Sequence, residues 1–299
     1  MPLPTPALAR ALRGGAARLA ALLVLGAALS GCSAVKLTYD NAPTVGYWWL
    51  DSYVDFRDDQ TPVVRARLAE LLAWHRANEL PPLVALLEDA ARRAPDEVAP
   101  AEVCAVGDAL RQRLVATARQ ATAPAAELVA GLDDAQLQRL EEKFEKNNAT
   151  YAKDWLAPGP EARHRKRYDK DLERFEDFYG RLDATQRTLL RAFADRSVFD
   201  PRRIDAERRR RQQEVLAWLR DPAHRALPVA ELRAGIDGYA RDLLQPAPGA
   251  WGDHQQALQQ ETCRKVAALH ETMRPEQRER AARRLLAYAQ DLRELAAAP

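Results

Sequence analysis

Glycine is scarce in this 299-residue chain, 13 in all, and four of them fall within the first 31 residues. Serine occurs only at Ser30, Ser33, Ser52 and Ser197, and no G-x-S-x-G turn is present to expose one as a nucleophile. No glycine-rich loop can cradle a phosphate. The five histidines, His75, His164, His224, His254 and His270, show neither HxxxH nor HExxH spacing, so no metal site is expected. No apolar run approaches the roughly 20 residues needed to span a bilayer core. Together these absences argue against an enzyme, and no cofactor or metal is called for.

The first 31 residues also lack any acid, yet carry Arg10, Arg13 and Arg18. Without them, 42 bases face 43 acids, so the formal net charge of +2 belongs to this leader. The remainder is near neutral, which excludes a strongly cationic nucleic-acid binder. Apolar residues at 47% exclude disorder along most of the chain.

The leader reads as an export signal. Its three arginines precede the uncharged run Leu19–Leu29, which has the length of a signal core. Leu29-Ser30-Gly31-Cys32 follows and resembles the lipobox of bacterial lipoproteins. That resemblance implies cleavage before Cys32, lipidation of its thiol and acylation of the new amine. Several acyl chains anchor far more firmly than one. Ser33, rather than Asp, after the cysteine implies sorting to the outer membrane. The expected address is the cell envelope, lipid-anchored through Cys32 and facing the periplasm.

With Cys32 modified, Cys104 and Cys263 remain. In an oxidising compartment they can form one intramolecular disulfide; the alternative is two buried, inert thiols. The bridge is the favoured reading.

Beyond the leader, Ala, Leu, Arg, Glu and Gln dominate, residues that lose little rotamer freedom in a helix. No stretch alternates as a strand does. The expected fold is all-α: a multi-helix bundle of antiparallel helical hairpins behind a cleaved signal peptide (1–31). An anchor and aromatic segment (32–60) is expected before a helical domain (61–299). Prolines mark the joints: helices are expected from Thr61-Pro62 to about Asn78, from Pro81-Pro82 to about Arg93, and from Pro100 to about Thr122. Breaks are expected at Leu156–Pro160 and Gln245–Gly252, and a helix between Asp200-Pro201 and Asp221-Pro222. Tyr168, Leu172, Phe175, Tyr179 and Leu182 step by 4, 3, 4 and 3, one apolar stripe that reads as core. Leu137, Leu140, Phe144, Tyr151 and Trp155 form another.

A short pattern, apolar-x-x-x-Gln, recurs at Phe56…Gln60, Leu132…Gln136, Leu182…Gln186 and Met273…Gln277. Asp133…Gln136 and Asp183…Gln186 are capping boxes. The intervals of 76, 50 and 91 residues match no solenoid period, and four ordinary helix starts account for the pattern.

These four segments resemble the LTxxQ motif of small helical periplasmic chaperones that counter envelope stress, with Thr replaced by Asp or Arg. A closer resemblance lies in Leu37-Thr-Tyr39-Asp-Asn41-Ala-Pro43, Tyr47-Trp48-Trp49-Leu50-Asp51 and Tyr53-Val54-Asp55-Phe56. It continues through Leu71-Leu72-Ala73-Trp74-His75-Arg76 and Phe175-Glu-Asp-Phe178-Tyr179-Gly180-Arg181-Leu182. Here the chain is similar to an uncharacterised Gram-negative lipoprotein family, domain-of-unknown-function family 6279. The resemblance implies class and address, and no activity.

Three local features qualify as contact sites. Tyr47, Trp48, Trp49 and Tyr53 lie about 15 residues from Cys32. They read as a packed N-terminal flap, with a membrane interface or a partner-docking patch as alternatives. Arg208, Arg209, Arg210 and Arg211 read as a solvated helix face with i,i+4 ion pairs, or else as a contact for anionic lipid phosphate. His75 reads as semi-buried beside Glu79. The expected work is binding of other envelope proteins, chaperone-like, or service as an accessory subunit of an envelope complex. The expected partners are the bilayer, through Cys32, and envelope proteins.

Overall fold

The computed structural model of the chain describes residues 33–298, so the leader and the acceptor Cys32 lie outside the described residues. Among these, every regular element is helical. Two units are compact by contact: one ends at Ala42 and contains helix α1 (Ser33–Asp40), and the other begins at Pro43. That unit holds the rest: α2 (Ala42–Val54), α3 (Gln60–Asn78), α4 (Leu80–Arg93), α5 (Pro100–Ala130), α6 (Asp134–Tyr151), α7 (Pro160–Tyr179) and α8 (Ala184–Asp195). Then come α9 (Pro201–Arg220), the single turn α10 (Pro222–Arg225), α11 (Val229–Leu244), α12 (Ala250–Glu271) and α13 (Pro275–Ala297). The aromatic segment thus belongs to the helical unit, inside the boundary expected at residue 60.

Local chemistry sets the joints. Prolines occupy the first turns of α4, α5, α7, α9 and α13, where a missing N–H costs nothing. Asp200 accepts from the backbone N–H of Arg202 and Arg203 and so caps α9. Helix α7 ends at Gly180, whose φ of 75° lies where a side chain is strained. Helix α2 ends at Asp55, the one described non-glycine residue with positive φ. Asp51 steadies that corner, its carboxylate accepting from the Phe56 N–H at 2.9 Å.

One expected boundary is wrong. Helix α5 does not stop near Thr122 but runs through Pro124 to Ala130. Pro124 removes the N–H that would bond the Gln120 carbonyl. Packing holds the helix together regardless, with Thr122 and Ala126 buried on either side of the proline.

Helix α5, roughly 46 Å long at 1.5 Å per residue, is the spine. It packs against α3, α4, α11 and α12, while α13 lies along α4, α9 against α6, and α7 against α8. The apolar interior divides into two clusters. One gathers Tyr47, Phe56, Val64, Leu137, Leu140 and Leu216. The other gathers Tyr168, Leu182, Leu190, Ala194, Leu269 and Met273.

Each cluster abuts a pair of the apolar-x-x-x-Gln segments, and the four do more than start helices. Gln60 and Gln136 exchange side-chain amide bonds, Nε2 of Gln136 donating to Oε1 of Gln60 at 2.7 Å and the reverse bond measuring 3.3 Å. Gln186 and Gln277 do the same at 2.9 and 3.3 Å. All four glutamine Oε1 atoms also accept the N–H three residues earlier, at Arg57, Asp133, Asp183 and Arg274. Each Nε2 reaches the carbonyl that precedes its partner segment: Gly131, Asp55, Thr272 or Arg181. In both pairs an arginine meets an aspartate, Arg57 with Asp133 at 2.8 Å and Arg274 with Asp183 at 3.2 Å. Two chemically equivalent clasps therefore organise the bundle, which corrects the reading of four independent helix starts.

Candidate functional site

The first clasp closes one end of an apolar groove of about 440 Å³ between α2, α3 and α5. Leu50 comes from α2, and Val63, Val64, Leu68 and Leu71 from one side of α3. Leu128 and Pro124 come from α5. Val63 is 52% exposed at the mouth of the groove. The rim is charged but internally paired: Arg67 bonds both Glu70 and Glu127, at 2.8 and 2.9 Å. Arg57 reaches Asp59 at 3.2 Å. Those contacts hold both arginine guanidinium groups above their ordinary pKa. The volume falls within the range of small-ligand and side-chain pockets. A predominantly apolar floor with a charged rim suits apolar side chains presented on a helix or an extended segment.

A second groove, about 410 Å³, opens between α4, α5, α7, α12 and α13. Val103, Val106, Phe175, Phe178, Val266 and Leu285 line it. A disulfide between Cys104 and Cys263, Cα atoms 5.4 Å apart, ties α5 to α12 beside it. Lys265, buried, donates to Asp171 at 2.6 Å in its wall. His270 is buried there too. The Asp96 carbonyl can only accept, so Nε2 of His270 carries the proton it donates at 2.8 Å. Nδ1 then accepts from the Tyr179 hydroxyl, also at 2.8 Å. Burial pushes the His270 pKa down and raises that of Tyr179 to about 12.

The aromatic segment divides by face. Tyr47 is core, its hydroxyl 3.0 Å from Thr61 Oγ1 and its ring under the Arg65 guanidinium. Tyr53 is half-buried against Phe144 and accepts from Asn147. Trp48 and Trp49 are 62% and 59% exposed. A packed flap therefore describes Tyr47 and Tyr53 but not Trp48, while Trp49 sets its ring 4.9 Å from that of Tyr53 and stays largely exposed. Spacing was sufficient to separate them once the segment is helical, because Tyr47, Leu50 and Val54 share one face and Val45, Trp48 and Trp49 the other.

The four arginines at 208–211 carry no free run of charge. Arg208 lies over the Tyr151 ring and Arg209 bonds Asp205 at 2.7 Å. Arg210 forks onto Glu207, at 2.8 Å on each arm, and also bonds Glu214. Arg211 bonds Glu207 at 2.6 Å. Those two guanidinium groups hold the Glu207 carboxyl down at about 2. His75 is half-buried, and desolvation lowers its pKa against the opposing pull of Glu79. The other histidines are dispersed, and no group of His, Cys, Asp and Glu suited to a metal occurs among the described residues. No helix among them is long and apolar enough to cross a membrane.

Residues 52–229 match the family of unknown function DUF6279. No curated protein and no solved structure matches the chain.

Proposed function

Because the chain belongs to DUF6279, a family whose description carries no activity, we propose a function from this molecule's own features. It is a periplasm-facing lipoprotein, held to a membrane by acylated Cys32, that binds apolar segments of other envelope proteins. The leader and the Leu29–Cys32 lipobox support the address. The groove between α2, α3 and α5 carries the activity. Its exposed Val63 and apolar floor would cover side chains that a non-native or partly assembled envelope protein leaves in water, each worth roughly 1.5–3 kcal/mol when fully buried. An apolar floor under an internally paired charged rim supports binding.

A photo-crosslinking residue at position 63 of the anchored protein, irradiated in cells, tests this. The expected products are adducts to envelope proteins that increase under folding stress. Unchanged, adduct-free protein under stress would contradict it. The exposed Trp48 and Trp49 favour a second reading, an accessory subunit docked through α2; crosslinking from position 48 would then yield one stress-independent partner.

A further inference from the structure

We propose that the outward face of α2 docks on the lipid interface itself, so that the bundle lies against the membrane rather than swinging free on its tether. The inference rests on the reading that Cys32 is acylated. Helix α2 is two-sided: Tyr47, Leu50 and Val54 belong to the first core cluster or pack on it, while Val45, Trp48 and Trp49 are each more than half exposed. At 100° per residue these three fall within one arc of roughly 100°, a single apolar edge. Indoles are favoured at the boundary between headgroups and acyl chains, where the ring is sheltered and the N–H remains wet.

The occupant follows from where the chain is tethered. Val45 lies only 13 positions beyond Cys32, a reach of at most roughly 45 Å if fully extended. A weak surface affinity is enough at that range, because the tether turns docking into an intramolecular event at high effective concentration. The neighbouring charges identify the kind of contact. Arg139, Lys143 and Lys146 surround Tyr53 alongside Asp51, Asp55 and Glu142, three cations against three carboxylates. Asp51 is turned inward onto Tyr47 and Phe56, and no lysine or arginine lies on α2. Docking is therefore apolar, indifferent to anionic lipid and to salt.

The test uses full-length acylated protein in phosphatidylcholine vesicles, with and without lipid brominated near the top of the acyl chain. Flotation reports the anchor, and bromine quenching of tryptophan emission reports docking. With two of six tryptophans inserted, up to about a third of the emission should be quenched. The same quenching is expected with phosphatidylglycerol added or salt raised tenfold. The W48F/W49F variant should float equally and lose the quenching, and Val45→Asp should reduce it several-fold. Flotation without quenching in the wild type, or equal quenching in W48F/W49F, overturns the docking. Failure to float overturns the anchor on which it rests. A protein adduct from position 48 in cells, with no lipid quenching, assigns the face to a partner and also overturns the proposal.

Discussion

Gln60 and Gln136 hold each other's side-chain amides across 76 residues of chain, and Gln186 and Gln277 repeat the arrangement across 91. In each pair the two reciprocal amide bonds close a circuit, and the same glutamine oxygens accept from the backbone N–H groups of Arg57, Asp133, Asp183 and Arg274. Breaking a buried circuit leaves several donors and acceptors bare at once. The arginine–aspartate contacts outside are exposed at 42–58%, so solvent screening keeps their contribution small. Their role is to match an arginine-type segment with an aspartate-type one.

Gln186→Ala is expected to lower the unfolding free energy by roughly 2–4 kcal/mol, because the Gln277 amide, the Asp183 N–H and the Thr272 carbonyl all lose a partner. Gln186→Glu keeps the shape but replaces a donor with an acceptor facing the Thr272 carbonyl. Burial raises the new carboxyl's pKa, so its penalty is greatest at high pH and lessens as the group protonates. Urea unfolding at pH 5 and pH 8 reads both effects. An unchanged midpoint in Gln186→Ala would contradict a stabilising role for the clasp.

The Cys104–Cys263 bridge encloses a separation of 159 residues. On the chain-entropy account, closing so long a loop restricts the unfolded state by about 5 kcal/mol. Paired serine replacement should therefore lower the urea midpoint markedly, and reductant should do the same to the wild type and nothing further to the variant. Because the bridge joins α5 to α12 beside the second groove, amide exchange at the ends of those two helices should accelerate most.

Acid should destabilise the protein in two windows. His270 is buried neutral, and its folded pKa lies below 6.5. The unfolded chain therefore binds a proton first as pH falls through 6.5, and stability is lost from there downward. Glu207 is depressed from 4.5 to about 2 by Arg210 and Arg211. Its contribution is complete above pH 4.5 and is lost as pH falls toward 2. An NMR titration should place the His270 pKa below 6.5, and Glu207→Gln should shrink the lower window, which other carboxylates held below their usual range, Glu176 and Glu141 among them, share. A normal histidine titration, or an unchanged lower window, would contradict these assignments.

The helical class, the proline joints and the Asp133 and Asp183 caps were legible in the sequence, because each depends on residues within one turn. The clasps were not recognised as pairs, since contacts over 76 and 91 residues depend on the whole bundle. A local signal did exist: two segments carry arginine after the apolar residue, at Arg57 and Arg274, and two carry aspartate, at Asp133 and Asp183. Helix α5 outran its expected end because burial around Ala126 outweighs one missing hydrogen bond at Pro124. The groove was invisible for a related reason. Val63, Val64 and Leu68 read as ordinary helix-face residues until α2 and α5 leave the space beside them open.

Suppression of client aggregation reads the binding of exposed apolar segments by this groove. Citrate synthase diluted from guanidinium into the purified mature domain should scatter less light, with the effect nearly complete at a several-fold molar excess. Val63→Arg, which places a charge at an already exposed position, and Ala121→Trp, which fills the groove from α5, should each weaken suppression at least several-fold without altering helical content. Undiminished scattering with the wild-type domain in excess, or full suppression by both variants, would contradict the account.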